Sequence, residues 1–247
     1  MRLSKSAVLT YENCPYNFKL DYILNFRKNR PEPAEGTPLK IGTDIHKIFE
    51  NYYKLPEAKK VTEPYEDNIL DILMTIRNAS KYKNHMENFA AFNVAQIKGF
   101  KGKGMEIRAK GVPHYIPKRT EFEVYNKSIN ILGYIDRVDE ENNGLRIIDY
   151  KTSKRDKPAK HYLFELALYA FMYEEETNDE VYDAGIYFSN TNKLRTIVIT
   201  EEDKLGAVKK VLDTRKAIEQ KIFPKNPTYF CRWCENRKIC GEDNDLY

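Results

Sequence analysis

No apolar run in this chain approaches the ~18–20 residues that a membrane-spanning helix needs, and the mean hydropathy of −0.68 agrees. Cysteine is scarce. Four in 247 residues are too few for a disulfide scaffold and point to a reduced, cytoplasmic protein. The opening stretch is interrupted by acidic and amide residues before any apolar segment, which argues against a secretory leader. A one-sided charge is missing as well. Forty-one Lys and Arg stand against 37 Asp and Glu, and a net +4 decides little about nucleic acid. There is no internal repeat, low-complexity tract or obvious linker, so the length fits one large domain or two small ones. What the chain does hold is aromatic: 18 Tyr and 12 Phe are too many for a disordered protein.

Periodicity gives helices over 3–26 (with Ser4 or Ser6 as N-cap), 40–54 and about 64–95. In the second of these Ile45, Ile48, Phe49 and Tyr52 share one face. Residues 96–120 carry seven Lys/Arg and one Glu among Gly99, Gly102, Gly104 and Gly111, with Phe100 and Tyr115 interleaved. That composition fits either a solvated loop or a basic lip following a phosphate backbone, with Lys101, Lys103, Arg108 and Lys110 as its cations. The pattern then alternates, predicting strands at 120–127, 129–139 and 145–152, a helix at 158–175, strands at 181–189 and 194–200, and a helix at 201–220. Helices, a strand meander, then helix and strands imply an α/β fold, a mixed sheet flanked by helices.

Segment 133–153 reads GYIDRVDEENNGLRIIDYKTS. If 141–144 form the loop and Glu140 pairs with Leu145, Asp136 stands opposite Asp149, close enough for both carboxylates to grip one cation. Asp149 and Lys151, at i and i+2, leave the same face of their strand. Two carboxylates side by side would raise each other's pKa, a penalty that a divalent cation removes. Hard oxygen ligands suit Mg²⁺ or Mn²⁺, which can polarise a phosphodiester and supply a hydroxide nucleophile. Lys151 could orient that water or stabilise the charge developing on phosphorus. The bland alternative is a hairpin with scattered salt bridges. Against it, these charges interrupt apolar strands, where burial needs a reason.

The cysteines are oddly placed: Cys14 alone near the start, then Cys231, Cys234 and Cys240 as C-x2-C-x5-C. Structural zinc normally takes two local pairs, and only one is present. An iron–sulfur cluster needs four cysteines without local pairing. Unlinked thiols with Cys14 merely buried are the third reading. Phe230 and Trp233 are expected to pack around this region, with base stacking as the alternative.

GYIDRVD followed by IIDYKTS resembles motifs II and III of the PD-(D/E)XK nuclease superfamily, in its RecB-like branch. GTDIH at Gly42–His46 is similar to that branch's first motif, and LSKSAVLTYENCPYNFKLDY to its N-terminal pattern of Ser, then Cys-Pro before an aromatic. The resemblance implies a restriction-endonuclease-like core with His46, Asp136, Asp149 and the Tyr150 backbone carbonyl as metal ligands and Lys151 as the catalytic lysine. It also implies Gln-x-x-x-Tyr on the helix after motif III. Here Tyr169 matches but Glu165 replaces Gln, and a carboxylate cannot donate unless protonated. Iron–sulfur members, including AddB-type and CRISPR-associated nucleases, share the layout of one cysteine before the core and C-x2-C-x5-C after it. That implies a [4Fe–4S] cluster on Cys14, Cys231, Cys234 and Cys240.

The expectation is one domain over 1–247, with the core in 40–200 and a cysteine clasp made by 1–30 and 225–247. Its implied activity is metal-dependent exonuclease action on single-stranded DNA or ends, in repair, recombination or CRISPR adaptation. The alternative is a catalytically silent DNA-binding or scaffold subunit with a structural Fe–S or Zn site.

Overall fold

The computed structural model describes residues 1–102, 116–141, 144–157 and 159–241. The helix expected over 3–26 is divided. Leu3–Ser4 forms a short strand, β1, and Ser4 caps helix α1 (Lys5–Asn13), its Oγ accepting from the Ala7 N–H at 3.2 Å. Cys14 is extended, and Pro15 restarts the chain as α2 (Pro15–Phe18), which runs on into a π-helical turn at Lys19–Ile23. Proline cannot donate inside a helix but suits a first helical position, so Cys14-Pro15 is a restart and not a continuation.

Helix α3 (Pro38–Lys54) is capped by Thr37 and buries Ile45, Ile48, Phe49 and Tyr52, the face expected from the sequence. The single helix expected at 64–95 is two, α4 (Tyr65–Met74) and α5 (Lys83–Gly102), parted by Asn78 in the left-handed region at φ +70°. Helix α5 passes through Gly99, expected as a breaker. Most of the basic stretch 96–120, including Lys103, Arg108 and Lys110, lies outside the described residues, as does the side chain of Lys101. Then come β2 (Arg119–Asn126), β3 (Ile131–Glu141), β4 (Gly144–Lys151), α6 (Lys160–Thr177), β5 (Val181–Phe188), β6 (Lys193–Val198), α7 (Glu201–Glu219) and α8 (Arg237–Cys240), the first seven of them close to the predicted bounds.

The sheet is mixed. Antiparallel β2–β3–β4 continue into a parallel β4–β5 pair and an antiparallel β6. Helices α1, α6 and α7 pack on one face, and α3, α4 and α5 on the other, giving two hydrophobic cores. The second core encloses Arg137, which is fully buried. Its guanidinium holds Asp139 at 2.6 Å, donates to the Tyr53 hydroxyl at 2.7 Å and lies 4.9 Å over the Phe92 ring. Two charges of the apolar strand β3 are therefore paired, although Asp139 Oδ2 is buried without a hydrogen-bond partner. Breaking a buried pair of this kind costs about 3–5 kcal/mol.

Strand β3 has two partners on one edge. Parallel β1 pairs with Ile131 and Leu132, while β4 pairs from Glu141↔Gly144 down to Arg137↔Ile148. The Glu140↔Leu145 register is the one the sequence implies. Between these partners, at 133–136, the edge of β3 is open, and the functional candidates gather there.

Candidate metal and phosphodiester site

The gap begins where β4 leaves β3. The Tyr150 N–H, having lost a strand partner, donates to Asp136 Oδ2 at 2.6 Å. One carboxylate oxygen thus replaces a rung of the ladder, and the other, Oδ1, lies 3.3 Å from His46 Nδ1. The other imidazole nitrogen, Nε2, lies 3.0 Å from the Tyr150 carbonyl oxygen. His46 reaches this place because it borders the buried stripe of α3. Of the expected set, His46, Asp136 and the Tyr150 backbone meet directly.

Asp149 and Lys151 leave β4 on the same face, as their i, i+2 spacing requires, and are 2.6 Å apart. Two further groups complete a four-charge array. Lys5, the first residue of α1, enters from the end of β1 and places Nζ 2.9 Å from Asp149 and 3.1 Å from Glu165. Glu165 also lies 3.3 Å from Lys151. Two lysines therefore alternate with two carboxylates, and the charge gained when Glu stands where the family has Gln is matched by Lys5. Burial opposes the charge on Asp149, yet Lys5 and Lys151 hold its carboxyl well below the usual range. Burial likewise opposes the Lys151 cation, but Asp149 and Glu165 raise its pKa. Lys151 is consequently a donor and a positive charge, not a proton acceptor, at neutral pH.

Helix α6 lines up His161, Glu165 and Tyr169 one turn apart. The Tyr169 ring lies 4.7 Å under Lys5 Nζ. It also explains Gly133: a Cβ there would stand 2.5 Å from Tyr169 Cε1, an overlap that packed cores do not absorb freely.

Glu121 was not among the sequence candidates. The flanking pairs Thr120↔Arg137 and Phe122↔Ile135 put it across β2–β3 from Asp136. Its φ is +45°, unusual for a side-chain-bearing residue. Its Oε1 is buried without a hydrogen-bond partner, and burial together with Asp136 pushes its pKa up to about 7. Among the described residues, His46, Glu121 and Asp136 form the one group of three whose ligand atoms all lie within 4.8 Å of one another. An imidazole, two carboxylates and an orphaned oxygen fit a hard divalent cation. The pairing that reveals Glu121 could have been counted from the 126–131 turn. Lys5, 144 residues from Asp149, left no comparable signal.

The second candidate site is the cysteine clasp. The chain segments near both ends are sewn together: Tyr11 donates to the Ile222 carbonyl at 2.6 Å, the Tyr16 N–H to Pro224 at 3.1 Å, and Asn226 to Asn13 at 2.9 Å. Asn236 bridges to Asn17 at 2.8 Å and Asp21 at 2.7 Å. Cys14, Cys231, Cys234 and Cys240 all line one cavity of about 820 Å³. Burial raises the Cys234 pKa, and Cys14, Cys231 and Cys240 add to the rise. Phe230 and Trp233, expected to pack here, line this cavity while remaining largely exposed.

The chain matches the PD-(D/E)XK nuclease superfamily over residues 2–241. It is 25% identical over 232 residues to a subunit of the ATP-dependent helicase/deoxyribonuclease of Clostridium tetani, covering 77% of this chain and 19% of that protein. It is 28% identical over 199 residues to the equally named protein of Clostridioides difficile, covering 69% of this chain and 17% of that one. The chain thus spans about a fifth of the length of these curated relatives. A crystal structure from Eubacterium rectale, titled provisionally as an exonuclease, superposes with a TM-score of 0.50 at 15% identity, over 96% of this chain and 87% of that one. That likeness concerns the fold. No helix among the described residues is long and apolar enough to cross a membrane.

The His46–Asp136 contact has a titration consequence. Burial works against the imidazolium, but the Asp136 carboxylate prevails and raises the His46 pKa to about 9. A raised pKa adds stability that is fully present below the unfolded value near 6.5 and is lost as pH rises through about 9. NMR of the chelator-treated protein should show His46 titrating near 9, and Asp136→Asn should bring that midpoint down to the ordinary value or below.

Proposed function

Because the chain belongs to the PD-(D/E)XK nuclease superfamily, we propose that it hydrolyses DNA phosphodiesters, with His46, Asp136, Asp149 and the Tyr150 carbonyl as the metal-holding set and Lys151 as the catalytic lysine. The carrying observation is the convergence of these groups, from three separate elements, at the gap where β3 and β4 part. A divalent ion held there supplies Lewis acidity toward the phosphodiester. Glu121 adds a further oxygen to the same set. Lys151, kept cationic by Asp149 and Glu165, donates toward the negative charge that grows on the phosphate. Lys5 and Glu165 fix the Asp149 and Lys151 side chains, so that little reorganisation is left for the moment of reaction.

The substrate reading is single-stranded DNA or DNA ends, degraded as an exonuclease. It rests on the motif resemblance; the helicase/deoxyribonuclease relatives support DNA as the substrate. Repair, recombination and CRISPR adaptation are likewise settings carried by the motif resemblance alone. We read the chain as one nuclease domain whose clasp segments close over the cysteines.

For the clasp we propose a [4Fe–4S] cluster. The motif resemblance and the shared cavity support it, although among the described residues no three of these thiols lie within 4.8 Å of one another.

With Mn²⁺, linear single-stranded DNA should be degraded from its ends while a circular strand of the same sequence survives. Lys151→Ala should lower the rate by roughly 10²–10³-fold. Undiminished cutting by folded Lys151→Ala would refute the assigned site, and cutting of the circle would refute end dependence. Anaerobically purified protein should be brown and hold close to four irons per chain. A colourless, iron-free and fully folded protein would refute the cluster.

A further inference from the structure

At the cysteine cavity lies an aromatic surface that the hydrolytic site does not use and whose rings stay largely exposed. Tyr229, Phe230 and Trp233 stand within ring-contact distance, with centroids 4.9 Å apart for Tyr229–Trp233 and 6.1 Å for the other two pairs. They nevertheless remain 51%, 74% and 60% exposed. The Arg232 guanidinium lies 3.8 Å over the Tyr229 ring and 5.0 Å from that of Trp233. Three rings held together but facing outward form a patch that a soluble protein retains only for a reason.

We propose that Tyr229, Phe230 and Trp233, with Arg232, form a stacking platform for unpaired bases of a single DNA strand on its way to the hydrolytic site; the proposal rests on the nuclease reading above. Three observations favour a nucleic acid over a protein partner. First, the residues flanking the rings carry Arg232, Arg237 and Lys238 against Glu235, although the acids Glu242, Asp243 and Asp245 follow them in the sequence. Cations beside the rings attract phosphates. Second, aromatic faces combined with an arginine plane bind bases without sequence preference, since every base offers a π-face. Third, the patch is continuous with the site. Phe230, Trp233 and His161 all line the cysteine cavity, so the rings and the start of α6 are neighbours. His161 begins the helical row that carries Glu165, 4.0 Å away, and Glu165 touches Lys151. A strand whose bases rest on the rings is thereby led past His161 toward Lys151 and Asp149.

Trp233 is the single tryptophan of the chain, so its emission reports the platform directly. The full chain is titrated in EDTA with oligo-dT and, separately, with an abasic strand of equal length and charge. Oligo-dT should quench Trp233 strongly and the abasic strand only weakly, and Phe230→Ala should weaken oligo-dT binding about tenfold. Arg232→Lys, which keeps the charge but loses the plane, should weaken it less. Equal quenching by the two strands, or unchanged affinity in folded Phe230→Ala, would overturn the platform. So would a concentration-dependent self-association that Phe230→Ala abolishes without affecting DNA binding, since the patch would then be a protein interface. Because no cleavage is required, a protein that binds bases in this way but cuts nothing in Mn²⁺ would refute the nuclease reading and leave the platform standing.

Discussion

The site depends on one missing rung. Strand β4 pairs with β3 as far as Arg137↔Ile148 and then diverges, and the Tyr150 N–H is satisfied by the Asp136 carboxylate. An unpaired buried N–H would be costly, so Asp136 is held where it is by the backbone itself. The same divergence opens the edge of β3 to the start of α1 and to His46 of α3. It lets an imidazole, two backbone groups of Tyr150 and two aspartates share one small volume without the sheet closing over them. The continued pairing of Asp149, Tyr150 and Lys151 with β5 keeps the other side rigid.

Charge balance follows from that opening. Asp149 is 5% exposed and Glu165 is 6% exposed, and burial works against the charge on Asp149. Lys5 and Lys151 lie against both and keep Asp149 ionised. Among the described residues, no lysine forms an ion pair with Asp136 or Glu121, and this side of the site carries the orphaned Glu121 oxygen. The two halves are thus electrostatically different, one already balanced by cations of the chain and the other balanced in part by His46 and open to a metal ion. The substitution of Glu for the family's Gln makes sense within the first half, because Lys5 supplies the compensating charge.

Much of this was legible in the sequence. The 140↔145 register followed from the loop length, but the ladder ends at Arg137↔Ile148, so the expected direct pairing of Asp136 with Asp149 is not formed. The buried face of α3 followed from its period, which also put His46 on the flank of that face. The rest depended on contacts that no local pattern encodes. Lys5 arrives through a two-residue parallel strand, and the 3–26 helix was overrun because Cys14-Pro15 restarts a helix whose apolar spacing continues across the break. Glu121 needed the same counting that located Asp149, applied to the other neighbour of β3. Arg137 and Asp139 read as charges in an apolar strand like Asp136. Only the structure shows that Arg137 and Asp139 pair with each other inside the second core. Phe230 and Trp233, expected to pack around the cysteines, do line their cavity but keep much of their surface exposed.

The central claim is that Asp136 and its neighbours gather at this gap to hold a divalent cation. Calorimetric titration of the intact protein with Mn²⁺ tests it most directly, with Asp136→Asn and Glu121→Gln alongside. The account predicts saturable binding to the wild type, weakened by roughly tenfold or more in Asp136→Asn and to a smaller extent in Glu121→Gln. Mn²⁺ affinity unchanged by Asp136→Asn in a folded protein would contradict it.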